Sequence, residues 1–182
     1  GYQAWVRDWC RHPGFQWALI PDVIDGSEAS NRTMISNWQD CGLSSFGAPV
    51  WHMHESLEWL ERLANNWPIV ALGSSGQWAT PGTAAWWARM NEAMTAICDE
   101  QGRPPCKLHG LRMLDPEIFS RLPLASADST NAAVNCGASS RFGMYVPATS
   151  AQRAAVIADR IEAHNSAAAW QAPPEQQQLM WA

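Results

Sequence analysis

The sequence lacks an apolar run long enough to span a bilayer, and it has no recognisable signal peptide. We therefore expect no contact with a membrane. Basic residues are also scarce, since 12 Lys and Arg stand against 17 Asp and Glu, for a formal net charge of −5. This balance argues against a surface that holds nucleic acid by bulk charge, although it is compatible with a local basic groove.

Paired cysteines and two common motifs are absent as well. The five cysteines are scattered without a CxxC or CxC pair, so we expect no zinc site and no other cofactor. Unpaired cysteines are typical of a reduced, cytoplasmic protein. The GSSG segment at 73–76 lacks the Lys-Ser/Thr that completes a phosphate loop, and no serine lies in a GxSxG elbow.

Apolar residues make up 47% of the 182 residues, which is enough for one domain with a real core. There are 12 tryptophans, and we expect many in the core and some around a cavity. The sequence predicts one domain over residues 1–166. A tail rich in Gln, Pro and Ala, expected to be flexible, follows over residues 167–182.

Short apolar runs alternate with longer amphipathic ones, which indicates βα units and a parallel sheet. The predicted helices are Gln3–Arg11, Ser27–Asp40, Ser56–Trp67, Thr83–Glu100, Pro116–Arg121 and Ser150–His164. The predicted strands are Trp17–Ile24, Pro49–Met53, Ile69–Gly73, Lys107–Leu111 and Leu122–Ala127. Five units are too few for a closed eight-stranded barrel. An open doubly wound sheet would fit, but the chain starts without an initiator Met. We therefore expect an α/β fold made of the C-terminal five βα units of an incomplete TIM barrel.

Each predicted strand ends in polar residues or glycine, and parallel strands bring such ends to one face, where ligands bind. We therefore predict a site at this face. Its candidate residues are Asp22, Asp25, His52, His54, Gly73, Ser74, His109, Arg112, Asp128 and Ser129. We expect only one of His52 and His54 to face the site, with the other structural, which argues against a metal held by the two imidazoles and Asp22.

Several of these residues have simpler interpretations. Asp25 or Asp22 could cap the helix that begins near Ser27, and Asp128 could cap a short turn. Gly73 could serve only a tight connection, or it could let a ligand approach the backbone. His109 and Arg112 could form a polar edge of the core.

The ordered segments PDVID, PVWHMHE, VALGSSG, KLHGLRM and LASADST resemble the second half of the tRNA-guanine transglycosylase barrel. They are especially similar to the short, zinc-less phage and bacterial paralogues linked to 7-deazaguanine in DNA. The resemblance covers about residues 15–135. It implies a TIM barrel that exchanges guanine for a 7-deazaguanine in nucleic acid, as the queuosine enzymes do in tRNA.

The resemblance also implies residue roles. Asp128 matches the nucleophile that attacks the sugar C1′, and Asp22 or Asp25 matches the aspartate that reads the purine edge. His52 or His54 would face the base, and the backbone of Gly73 would touch it. The family's zinc motif, its companion aspartate and its basic tRNA-binding zone have no counterpart in this sequence, which favours DNA over tRNA as the substrate.

Base exchange requires a carboxylate that traps an oxocarbenium-like sugar, together with a proton donor for the departing purine. Two other functions fit the same residues. One is a barrel hydrolase or lyase that uses Asp22, His54 and Asp128 on a small metabolite. The other is a transglycosylase-like subunit without catalytic activity.

Overall fold

A computed structural model describes residues 1–130, 136–137 and 142–172 of the chain. The helices of this part are α1 (Tyr2–Trp9), α2 (Glu28–Asp40), α3 (Leu57–Asn66), α4 (Ala84–Ile97), α5 (Pro116–Phe119) and α6 (Ser150–Glu162). The strands are β1 (Ala18–Leu19), β2 (Gly47–Ala48), β3 (Val50–His52), β4 (Ile69–Gly73), β5 (Lys107–Gly110) and β6 (Ser126–Ala127). Short 3-10 turns cover Ser44–Phe46 and Gly76–Trp78.

The strands pair in chain order, and every described pair is parallel. β1 pairs with β2, and the other four form a sheet in the order β3-β4-β5-β6. Pro49 is the single residue between β2 and β3. The strand is interrupted there because proline cannot donate a ladder hydrogen bond. The predicted mixed α/β fold with parallel strands is therefore confirmed.

The helices begin where the sequence provides side-chain caps. The hydroxyls of Ser27, Ser56 and Thr83 accept hydrogen bonds from backbone amides in the first turns of α2, α3 and α4. Each cap satisfies an amide that has no partner within its helix. These three helices follow β1, β3 and β4 in the chain, after the loops that carry candidate residues.

One face of the sheet packs on helices and forms the core. Its strand residues are Trp51, Val70, Leu72 and Leu108. They are fully buried, as is Met53 directly after β3, and they belong to one cluster with residues of α3 and α4 such as Leu60 and Met90. The opposite face carries the alternate residues of the same strands. Those residues include His52, Ala71, Gly73 and His109.

The sheet curls so that its opposite face becomes concave. Trp17, which precedes β1, contacts the ring of His109 on β5, with ring centroids 4.8 Å apart. In a flat sheet, β5 would lie three strands away from β1, at a distance of about 14 Å, because neighbouring strands lie ~4.8 Å apart. The contact therefore requires strong curvature.

Three sequence-based assignments change. The predicted strand over Trp17–Ile24 is reduced to Ala18 and Leu19, the two residues that pair with β2. The predicted strand over Leu122–Ala127 is shorter, since pairing with β5 involves only Ser126 and Ala127. Leu122 and Leu124 are buried instead in a tight turn, in which the Leu124 amide donates to the Leu122 carbonyl. The pattern of apolar residues also gave no indication of β2.

Part of the expected tail is attached to the domain. The Ala167 amide donates to the Leu122 carbonyl at 3.1 Å, and the Trp170 amide donates to the Gly102 carbonyl at 2.7 Å. The rest of the predicted tail, from residue 173 onward, lies outside the described residues. Within the described part of the chain, no helix is long and apolar enough to cross a membrane.

Candidate functional site

The first feature of the strand-end face is a buried histidine paired with an aspartate. His52 ends β3, and its Nε2 donates to Asp22 Oδ2 at 2.7 Å. The His52 side chain is only 3% exposed, whereas that of Asp22 is 28% exposed. The His52 Nδ1 atom is buried and has no hydrogen-bond partner among the described residues. Because a carboxylate oxygen can only accept, the Nε2 atom carries the proton of the bond to Asp22.

Gly73 makes room for this imidazole. Its Cα aligns with that of His52 across the β3–β4 pair. A Cβ at position 73 would lie 3.0 Å from His52 Nδ1 and 3.2 Å from Val50 Cγ1. The glycine is thus required by close packing of a side chain, which the sequence analysis had not considered.

His54 lies beside His52. The two rings stack with centroids 5.7 Å apart and an interplanar angle of 22°. The two rings therefore lie on the same side, although only one of them was expected to face the site; His54 lies in the turn after β3, in which the Glu55 amide donates to the His52 carbonyl. His54 is exposed, and its ring bonds to Ser75 Oγ at 2.7 Å and to the Gly26 carbonyl at 2.8 Å.

Asp128 is held by the loop after β5. Its Oδ1 accepts from the Arg112 amide at 2.7 Å, and its own amide donates to the Gly110 carbonyl. Arg112 has φ of 59°, an unusual left-handed conformation for a residue other than glycine. Asp128 is therefore bonded to this loop, and it does not cap the following turn through this oxygen. Its side chain is 55% exposed.

His109 lies beside the second carboxylate oxygen of Asp128. Its Nε2 is 3.7 Å from Asp128 Oδ2, and its Nδ1 bonds to Ser126 Oγ at 2.9 Å. Burial lowers the pKa of His109, and the Asp128 carboxylate opposes this change only partly. His109 is therefore neutral at pH 7, against the edge of Trp17.

The two aspartate–histidine pairs lie on the same side of the sheet. His109 aligns with Ala71, which is two residues before Gly73 on β4, so His52 and His109 share a face. β4 alone separates their strands, which places the strands ~10 Å apart. That span is comparable to a nucleoside.

The remaining candidates lie around these pairs. Ser74 is buried, with its Oγ bonded to Trp86 Nε1 at 2.9 Å. The side chain of Arg112 reaches the Ser74 carbonyl at 3.5 Å. Asp25 is exposed, and α2 is capped by Ser27 rather than by an aspartate. Ser129 follows Asp128 and is half-buried.

Two residues that the candidate set omitted are Glu55 and Asn31, which are 3% and 2% exposed. They bond to each other and to the segments that carry Asp22 and His52. Glu55 could have been suspected from the polar run after β3. Asn31 lies within a helix, where its sequence pattern gives no such signal.

Among the described residues, no group of three or more His, Cys, Asp or Glu side chains could hold a metal ion. The chain matched no known protein family, no curated protein and no solved structure. The class of this protein therefore rests on the chemistry of the site.

Proposed function

We propose that this chain is a pentosyltransferase that replaces guanine by a 7-deazaguanine in nucleic acid, with DNA favoured over tRNA. The observation that carries the proposal is the Asp128 carboxylate. One of its oxygens is fixed by the Arg112 amide, and the other lies 3.7 Å from Nε2 of a neutral histidine, on a side chain that is 55% exposed. A nucleophile needs this combination of a fixed direction and a free lone pair.

The proposed fold is a TIM-type barrel of which the chain supplies the C-terminal five βα units. Parallel strands in unbroken chain order support it, because a doubly wound sheet reverses its order at a switch point. The curvature that brings Trp17 onto His109 supports it too. In such barrels the catalytic groups lie at the carboxyl ends of the strands, where Asp22 and Asp128 are found.

In the proposed reaction, Asp128 Oδ2 attacks C1′ of the target nucleotide as the bond from C1′ to guanine N9 breaks. The bonding electrons leave with guanine, which takes up a proton. The ester between the sugar and Asp128 is then broken by N9 of the incoming 7-deazaguanine, which loses its proton. Asp22, oriented by His52, accepts hydrogen bonds from the edge of the base.

An exposed aromatic row on α1 supports a nucleic-acid substrate over a small metabolite. Tyr2, Trp5 and Trp9 are each 44–50% exposed and lie on one helix face. Their rings form a series with centroids 6.0 and 6.3 Å apart. Exposed aromatic faces bind unpaired bases by stacking. The row begins near the site, since the Tyr2 hydroxyl donates to the Leu19 carbonyl, three residues before Asp22.

The test is an exchange assay with labelled guanine, using duplex DNA, single-stranded DNA and tRNA, in wild-type protein and in Asp128→Asn. Asparagine keeps an acceptor oxygen for the Arg112 amide, so the fold should persist. We expect exchange and the covalent DNA adduct to be lost, at a cost of about 4–8 kcal/mol in transition-state stabilisation. Asp40→Asn is the control, because Asp40 is an exposed carboxylate at the end of α2 to which no role in the site is assigned.

Other results would replace the proposal. Exchange retained in Asp128→Asn but lost in Asp22→Asn would move the nucleophile to the loop after β1. Turnover of a small metabolite without nucleic acid would favour the hydrolase or lyase. Binding of nucleic acid without any exchange by the wild type would favour a non-catalytic subunit.

A further inference from the structure

The carboxylate of Glu55 is the most deeply buried acid near the candidate site, and both of its oxygens accept hydrogen bonds. Oε1 accepts from Asn31 Nδ2 at 2.8 Å, and Oε2 accepts from the His52 amide at 2.9 Å. It forms no salt bridge with a Lys or Arg side chain of the described residues. Burying a carboxylate without a cation is costly, so the network needs a reason other than stability.

Asn31 extends the network to the loop after β1. Its Oδ1 accepts from the Val23 amide at 2.8 Å, and its Nδ2 also approaches the Val23 carbonyl at 3.4 Å. Val23 directly follows Asp22. The series from Val23 through Asn31 and Glu55 to His52 therefore connects the backbones on either side of the Asp22–His52 bond.

We infer that Glu55 and Asn31 are positioning residues whose hydrogen bonds hold Asp22 against His52. The loop after β1 is exposed at Pro21 through Asp25, so Asn31 supplies an internal attachment for a segment that solvent surrounds. Among the described residues, the side-chain hydrogen bonds of Glu55 and Asn31 do not involve Asp128. Their role is to fix the distance between Asp22, in the loop after β1, and His52, at the end of β3.

A separate contact supports the same turn without reaching Asp22. Arg89 donates from Nε to the Met53 carbonyl at 2.9 Å and from Nη2 to the Glu55 carbonyl at 2.7 Å. Its guanidinium also lies over the ring of Trp78. Replacing Arg89 should weaken the turn while leaving the series from Val23 to His52 complete, which makes it the matched control.

The direction of each bond allows a sharp test. In Glu55→Gln, one acceptor oxygen becomes an NH2 group that faces a donor, either Asn31 Nδ2 or the His52 amide. In Asn31→Asp, a second carboxylate faces Glu55. In the double variant Asn31→Asp/Glu55→Gln, the new side-chain amide at position 55 accepts from the His52 amide and donates to the new carboxylate at position 31. That carboxylate still accepts from the Val23 amide. The double variant thus restores the three short bonds with the donor and acceptor exchanged between positions 31 and 55.

The measurement is NMR of histidine labelled with nitrogen-15, with the His52 Nε2–H signal assigned by its absence in His52→Gln. In the wild type, we expect a slowly exchanging proton, because this group is buried and bonded to Asp22. We expect the signal to be lost in each single variant, to return in the double variant, and to persist in Arg89→Met. Loss in Arg89→Met to the same extent as in Glu55→Gln would overturn the inference, because it would show general loosening of the turn.

An unchanged signal in both folded single variants would also overturn the inference. If either single variant fails to fold, the double variant decides alone: a signal at the wild-type position supports the inference, and an absent signal refutes it. This measurement needs no substrate. A parallel exchange assay rests on the proposed function, so failure of the wild type to exchange bases would refute that function and leave the NMR result intact.

Discussion

The close contact between Gly73 and His52 predicts that Gly73→Ala destabilises the protein. The added Cβ would lie 3.0 Å from His52 Nδ1, 3.2 Å from Val50 Cγ1 and 3.4 Å from His52 Cε1. The His52 ring has little freedom to move, because it is buried and its Nε2 is bonded to Asp22. The new methyl group therefore overpacks a rigid part of the concave face.

The magnitude follows from two opposing effects. Overpacking a core position costs about 1–3 kcal/mol. Replacing glycine by alanine also restricts the unfolded chain, which stabilises a protein by about 0.4–1 kcal/mol. The clash is the larger effect, so we expect a net loss of up to about 2 kcal/mol. For a domain of this size, each kcal/mol lowers the midpoint of thermal unfolding by about 2–4 °C.

The assay is urea and thermal unfolding of Gly73→Ala beside Gly14→Ala. A Cβ at Gly14 would be no closer than 3.4 Å to another residue, an ordinary contact, so that control should be neutral or slightly stabilised. In the background of His52→Ala, the cost of Gly73→Ala should fall, because only Val50 remains in the way. An equal cost in both backgrounds, or wild-type stability of Gly73→Ala, would refute the assigned reason for this glycine.

Three further predictions follow from the site and its surroundings. The pKa of His109 in the folded state is below its ordinary value of 6.5, so the unfolded state takes up this proton first as the pH falls. The stability of the protein should therefore be greatest above pH 6.5 and should decline below it. Urea unfolding across pH should show a less steep decline in His109→Gln. Trp5→Ala and Trp9→Ala should weaken binding of labelled single-stranded DNA, since base stacking contributes about 1–3 kcal/mol per base, while unfolding stability changes little; unchanged anisotropy titrations would remove α1 from the nucleic-acid surface. Burial raises the pKa of the Cys98 thiol to about 11, so it should react with iodoacetamide at pH 8 much more slowly than a free thiol; alkylation at the rate of free cysteine, read by mass spectrometry, would contradict its burial.

The local pattern of the sequence predicted the elements and their order well. The strand Ile69–Gly73 has the predicted bounds, and α2, α3 and α4 lie within predicted helices that begin at cap residues. Side-chain caps act within a few residues, and so does the alternation of apolar and polar residues. Both can therefore be recognised without knowledge of the tertiary packing. The length of the strand before Asp128 was overestimated for the same reason. An apolar run shows burial, but pairing with β5 determines which residues form a strand.

What the sequence determined by itself is that polar residues follow successive parallel strands, which predicts a common face for Asp22, His52, His109 and Asp128. Only the tertiary structure decided how they pair: Asp22 with His52, Asp128 with the Arg112 amide, and Asn31 with Glu55. These partners are 16 to 30 residues apart in the chain. Their contacts depend on sheet register, sheet curvature and the room left by Gly73, and these are properties of the packed chain that no local pattern encodes.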